Sequence, residues 1–429
     1  MFNKDMQKHI ERLKVKTHDF LRWSEKYFKT DMVYLAKGSF WLTLGQGISA
    51  ISSFLLAVAF ANLLPKETYG VYKYILSIAG ILAIPTLNGM NTAISQAASC
   101  GFEGSFIPAI KTKIYWGFFG GLSSLILSGY YYYNSNSTLA ISFLIAAVFI
   151  PFMDSFGAYN ALLQGKKLFK TSTQYTILSQ LIAISSLIGT LFLTKNLFLI
   201  VLAYFTSWTL ARFIFLKITI KKFPPNQNQD PKTISYGKHL SLVGIIITIA
   251  SYVDRLVLFQ TIGATQLAIY SIAIAPPEQI KSIFKNLSIL TLPKFAQSTK
   301  TEIRKTLPHK LFILFALLVG LILVYILAAP LMFKILFPQY IESVFYSQMA
   351  IFMIIGGMVP VLNSVLVAKQ ANPEIYKSNI YIAIFQIIIT LTLGYLFGII
   401  GVITAKILVQ IFGLASSFWF FIKVTKSNE

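Results

Sequence analysis

The stretch Leu64-Pro65-Lys66-Glu67-Thr68-Tyr69-Gly70-Val71-Tyr72 closes one long apolar segment and opens the next. Near half the chain later, Ile262-Gly263-Ala264-Thr265-Gln266-Leu267-Ala268-Ile269-Tyr270 does the same. Each is a short turn, a small residue (Gly70 or Ala268), one apolar residue and then a tyrosine. A second pair sits at nearly the same separation: Asn160-Ala161-Leu162-Leu163-Gln164-Gly165-Lys166 and Asn363-Ser364-Val365-Leu366-Val367-Ala368-Lys369. Weak internal symmetry between apolar segments is the mark of a membrane chain built from two structural repeats.

Composition agrees. Hydrophobic residues make up 55% of the 429 and charged residues 12%, about half the roughly 25% charge of a soluble domain. A disordered chain and an ordinary soluble enzyme are both excluded on these values. A single cysteine, Cys100, rules out an internal disulfide and any multi-thiolate metal site. The histidines (His9, His18, His239 and His309) are too scattered to form a metal cluster. A transmembrane helix needs about 20 apolar residues. Twelve segments meet that need, at 39–63, 71–97, 114–133, 138–159, 172–194, 197–216, 239–262, 267–293, 311–330, 346–368, 378–396 and 401–422. The fold class expected is therefore all-α and polytopic, with twelve transmembrane helices.

The net charge of +22 would suggest nucleic acid in a soluble protein. In a membrane protein it marks the cytoplasmic loops. Placement decides between the two. With the N-terminus inside, the outside connections hold only Lys66, Lys73, Lys195 and Lys334, and most other cations fall in seven separate inside segments. No nucleic-acid partner is expected, and both termini are expected in the cytoplasm. Residues 1–37 carry charge throughout and are not a signal peptide. Ile10, Leu13, Phe20, Leu21, Tyr27 and Phe28 recur there at helical spacing among lysines and arginines. This is the pattern of a helix lying on anionic membrane lipids, with a frayed basic tail as the other reading.

The longest polar connection, 218–238, carries Lys221-Lys222-Phe223-Pro224-Pro225-Asn226-Gln227-Asn228-Gln229-Asp230-Pro231. It divides the chain into a first half, 38–217, and a second half, 239–429, each with six spans. Six is even, so the halves share one orientation and should be related by an axis along the membrane normal.

Two six-helix lobes, each opening with a helix pair joined by such a turn, resemble the polysaccharide flippases. These are the Wzx-type O-antigen and repeat-unit translocases of the multidrug/oligosaccharidyl-lipid/polysaccharide exporter superfamily. Ser251-Tyr252-Val253-Asp254-Arg255 looks like that family's Tyr-x-Asp-Arg/Lys position, and Asn160 to Phe169, with its Leu-Leu-Gln-Gly core, is a further similarity. The resemblance covers roughly 38–425. The lipid II flippase branch usually shows fourteen spans, which counts against it here. The resemblance implies a central cavity between lobes that opens alternately to either side of the plasma (inner) membrane. It implies a polyprenyl-diphosphate-linked glycan as cargo, and a polysaccharide polymerase and chain-length machinery as partners. No cofactor is implied.

Ionisable residues inside spans are costly and are functional candidates. Here they are Asp154, Asp254, Arg255, Glu278, Lys281, Lys285 and Lys406. Lys281 and Lys285 lie one turn apart on one helix face, and an anion such as a diphosphate would relieve their repulsion. Glu278 can pair with Lys281, which leaves a purely internal ion pair open. Arg255 is the candidate phosphate ligand, because guanidinium binds phosphate bidentately, and Asp254 would orient it. Asp154, after Pro151, is either an ion-coupling carboxylate or a buried neutral one. Lys406 is read as structural. Pro276-Pro277 marks either a binding-site break or a static kink. Gln46, Asn88, Asn91 and Gln96 suit sugar hydroxyls or helix–helix hydrogen bonds.

No catalytic residues are expected. The sequence contains no G-x-x-x-x-G-K-[S/T], no H-E-x-x-H and no G-x-S-x-G. Two other functions compete with flipping. A cation-coupled multidrug exporter of the same superfamily would favour acidic rather than basic cavity residues. A membrane-embedded glycosyltransferase or ligase would need acidic residues on outside loops, where only Glu67 and Glu342 lie.

Overall fold

The computed structural model describes residues 32–284, 291, 295–296 and 298–426. Of the basic N-terminal segment only 32–37 fall among them, and Lys285 lies outside the described residues. Every regular element among the described residues is a helix. This is what a bilayer demands, since each backbone N–H and C=O must be satisfied without water.

The first half comprises α1 (Met32–Leu63), α2 (Lys66–Leu82), α3 (Met90–Ser99), α4 (Phe106–Tyr133), α5 (Ser137–Phe156), α6 (Tyr159–Gly165), α7 (Phe169–Leu193) and α8 (Leu197–Lys222). The second half comprises α9 (Thr233–Ala250), α10 (Val253–Ile262), α11 (Ala264–Ile283), α12 (Lys300–Leu336), α13 (Ser343–Ala350), α14 (Val359–Ala368) and α15 (Asn372–Lys426). Among the described residues eight helical stretches are long and apolar enough to cross a membrane, or nine when the pair Lys66–Leu82 and Ile84–Ser99, bent by 46°, counts as one. The protein is thus an all-helical polytopic membrane protein. The twelve spans read from the sequence are a finer division than this. The two expected at 378–396 and 401–422 lie within α15, where Gly398 (φ 56, ψ −131) joins two helices. Such a φ favours glycine, which has no Cβ to clash.

The breaks in the other helices have local causes and local remedies. Between α2 and α3, Pro85 lies in a single 3-10 turn and Leu87 takes a left-handed conformation (φ 58). The Leu87 carbonyl accepts from the Met90 N–H at 2.9 Å and also from the Lys113 ammonium at 3.1 Å, and Lys113 is fully buried in α4. Between α9 and α10, Ser251 and Tyr252 interrupt the helix. The Ala250 carbonyl then accepts from Gln386 Nε2 at 2.7 Å. Pro276 and Pro277, by contrast, sit inside the continuous helix α11.

The two repeated turns meet face to face. Gly70 of the first packs so closely on the second that a Cβ there would lie 1.8 Å from the Ala264 carbonyl oxygen. Tyr69, Tyr72, Leu267, Ala268 and Tyr270 from both stretches share one core, which also takes in Phe333, Phe337 and Tyr340. At this end of the molecule Lys66 Nζ pairs with Glu342 Oε1 at 2.5 Å and lies over the Tyr340 ring. Asn62 Nδ2 donates to the Leu336 carbonyl at 2.8 Å. Towards the other end the cores separate. One draws its buried residues from 87–216 and another from 295–421. Contact between the halves persists there along α3 and α9, where the Gly89 N–H donates to Ser241 Oγ at 3.1 Å. The connection between the halves is also tied down, with the Gly104 N–H donating to the Asn228 carbonyl at 2.9 Å.

Gly70→Ala should therefore lower the melting temperature in detergent, by an overpacking cost of about 1–3 kcal/mol. Gly47→Ala on α1, where a Cβ meets nothing within 4 Å, should leave it unchanged or higher. Equal melting temperatures for the two variants would contradict the close approach of the turns.

Candidate functional site

The break at Ser251-Tyr252 places Asp254 in the first turn of a new helix. An acidic side chain in a helix's first turn is favoured by the helix dipole. Asp254 Oδ1 accepts from the Arg255 N–H at 2.8 Å. Oδ2 accepts from the Tyr270 hydroxyl at 2.5 Å and from Lys406 Nζ at 3.0 Å. The same ammonium reaches Glu278 Oε1 at 3.0 Å. One lysine of α15 thus holds a carboxylate from α10 and another from α11. Asp254 is buried, while Glu278 keeps over a third of its side chain exposed. Glu278 pairs with Lys406, and Lys281 donates to Gln410 Oε1 at 2.8 Å. The lysine read as a structural residue is the centre of the network.

Arg255 points elsewhere. Among the described residues its guanidinium makes no ion pair, and it lies 5.8 Å from the centroid of the Tyr252 ring. Asp254 and Glu278 are within electrostatic reach. So is Lys73 of α2, whose ammonium lies 5.2 Å from the Tyr69 ring centroid. Tyr252 itself lies against Gly80 of α2. Two half-buried cations, one from each half, thus approach one another across aromatic rings.

A polar cavity of about 490 Å³ is lined by Gln46 of the first half and by Ser251, Glu278, Lys281, Gln386, Lys406 and Gln410 of the second; Arg255 and Lys73 are not among its lining residues. Charge in such a space is desolvated and its interactions are strengthened. The cavity wall thus carries Lys281, Lys406 and Glu278, with Asp254 buried behind Lys406 and with Arg255 and Lys73 within electrostatic reach. The cations exceed the carboxylates, which favours an anion.

Asp154 belongs to a different cluster. It pairs with Arg212 of α8 at 2.7 Å, and Arg212 also donates to the Met153 carbonyl at 2.9 Å. The Arg212 guanidinium lies 4.9 Å from the Trp208 ring centroid. Of the expected residues, then, Asp254, Arg255, Glu278 and Lys281 come together, Asp154 stands apart, and Lys285 is outside the described residues.

Sequence reasoning missed Lys73, assigned to an outside connection but placed two turns into α2. Lys113 and Arg212, which it did not single out, lie within helices, where one donates to the Leu87 carbonyl and the other pairs with Asp154. The spacing of Tyr69 and Lys73, one turn apart, was the available signal for the first.

The polysaccharide biosynthesis protein family model matches residues 35–299. The chain belongs to that family. A search of curated proteins by sequence gives no match. Among solved structures the fold is similar to that of the lipid II flippase MurJ in an inward closed conformation, at TM-score 0.68 and 15% identity over 92% of this chain and 90% of that one. A MATE in complex with MaD5 gives 0.61 and 12%, over 92% and 97%. A MOP superfamily transporter from Pyrococcus furiosus gives 0.58 and 14%, over 92% and 97%. At these identities the likeness is one of fold. For this family member the charged network has a direct structural test. Lys406→Met should destabilise the protein by about 3–5 kcal/mol, because it strands two carboxylates. Adding Asp254→Asn and Glu278→Gln should recover much of the loss in a thermal-unfolding assay. A single variant as stable as wild type would contradict the pairing.

Proposed function

We propose that the protein flips a polyprenyl-diphosphate-linked oligosaccharide, an O-antigen or other polysaccharide repeat unit, across the plasma membrane by alternating access. The observation that carries this reading is Arg255, a cation without an ion pair among the described residues, within electrostatic reach of Lys73 of the other half and four residues from Ser251, which lines the polar cavity with Lys281. A diphosphate leaving water needs compensating positive charge, and a guanidinium supplies it with two directed donors. Lys281 is assigned to the same anion, with Lys285, four residues on in the sequence, as its second candidate. Asp254 and Glu278 hold Lys406 and so set the shape and the net charge of the wall. Asp154, paired with Arg212, is the candidate for ion coupling.

In this reading the chain forms twelve spans in two six-helix lobes, 38–217 and 239–429, joined by the linker 218–238, with both termini in the cytoplasm. The end closed by Lys66–Glu342 is then the outer one. The head group enters between the lobes from the inner side, and the lipid tail stays in the bilayer. A polysaccharide polymerase and chain-length machinery would take the product. The cationic wall disfavours the cationic cargo of a multidrug exporter.

Arg255→Ala should abolish polysaccharide export in cells while membrane abundance and melting temperature stay near wild type. Lys281→Ala should reduce export, Lys281→Arg should retain more of it, and Lys281→Glu should be worst, because it repels the cargo. Export at wild-type level by Arg255→Ala would overturn the assignment.

A further inference from the structure

A second cavity, of about 640 Å³, lies between α3 and α6, within the roughly 300–1,000 Å³ of ordinary ligand sites. Its wall is unlike that of the charged chamber. Asn91, Thr92, Ser95 and Gln96 come from α3, and Asn160 and Gln164 from α6. No carboxylate lines it, and its one charged residue is Lys167 at the rim. The Leu162-Leu163-Gln164-Gly165 stretch therefore does two things here. Its leucines are buried in the core of the first half, and Gln164 faces the cavity. Gly165 lets α6 approach α3, since a Cβ there would lie 2.5 Å from the Ser95 carbonyl oxygen.

The polar groups in this wall are largely uncommitted. Among the described residues the side chains of Thr92, Ser95, Gln96 and Gln164 form no hydrogen bond with protein. Asn91 Oδ1 is buried and has no partner. Ser and Thr on helices commonly bond the carbonyl one turn back, and Thr176 and Thr112 do so in this protein. A buried amide oxygen without a partner is destabilising, and a ligand donor would satisfy it. Gln96 also lines an adjoining cavity of about 600 Å³, where Phe102, Tyr236 and His239 present partly exposed rings.

We infer that this amide- and hydroxyl-lined cleft is a sugar subsite that recognises the uncharged glycan of the cargo, separately from the anion site of Arg255 and Lys281. The inference rests on the flippase reading and deepens it. Neutral amides and hydroxyls both donate and accept, as sugar hydroxyls do, and they create no demand for a counter-ion. The aromatic rings at Gln96 add apolar faces for the sugar's C–H edges. The division of labour places charge recognition in the second half and glycan recognition in the first.

The test measures binding by purified full-length protein in nanodiscs. One probe is a polyprenyl diphosphate bearing an N-acetylhexosamine–hexose disaccharide, and the other is the same lipid diphosphate without sugar. Wild type should bind the glycosylated probe at least tenfold more tightly. Gln96→Leu and Gln164→Leu should each erase that preference, with the melting temperature confirming the fold. Arg255→Ala should weaken both probes together and keep their ratio. A preference unchanged in Gln96→Leu and Gln164→Leu, or no preference in wild type, would overturn the sugar subsite while leaving the anion site standing. Failure of wild type to bind either probe would overturn the flippase reading and the subsite with it.

Discussion

An ammonium shared by two carboxylates inside a bilayer is the constraint around which the second half is arranged. Any of the charges on Lys406, Asp254 and Glu278 would be costly there without a partner. Held together at 3.0 Å on both sides, the three tie α10, α11 and α15 into one unit. The Tyr270 hydroxyl fills a further acceptor position on Asp254. Once Asp254 is occupied in this way, its neighbour Arg255 is turned about 100° away along the helix, towards the first half. The break at Ser251-Tyr252 makes this possible, because it starts a new helix whose first turn welcomes an acidic residue.

The two ends of the molecule are built differently for a related reason. At the end of the repeated turns, close packing of Gly70 on Ala264 and a shared aromatic core join the halves. Within lipid such packing is a main source of helix association. The ion pair Lys66–Glu342, by contrast, is partly exposed and is worth little on its own. Towards the other end separate cores leave polar cavities between and within the halves. A seam packed closely at one end is what the proposed alternating access would need.

Much of this was legible in the sequence because lipid imposes so strict a rule. Apolar segments of about 20 residues can only be helices, so the all-helical fold and most helix positions followed from composition. The repeated turns were visible as sequence and proved to be neighbours in space. Asp254, Arg255, Glu278 and Lys281 were legible as costly charges. Partner choice was not. Glu278 lies three residues from Lys281, and pairing within the helix was a natural reading, yet its partner Lys406 comes from α15. Such long-range pairing carries no signal in one sequence. Lys73 was assigned to a connection, and Lys113 and Arg212 were passed over, for a different reason. A charge near the end of an apolar segment is read with the loop by default, although an aromatic ring, a backbone carbonyl or a facing carboxylate can hold it inside.

The most direct test of the central claim is a leaflet-exchange measurement in liposomes containing the purified protein. A polyprenyl diphosphate bearing a fluorescent disaccharide is placed in one leaflet, and its appearance in the other is followed by quenching with a membrane-impermeant reagent. The account expects exchange well above that of protein-free liposomes, falling to background with Arg255→Ala. Exchange no faster than in protein-free liposomes, or undiminished by Arg255→Ala, would contradict it.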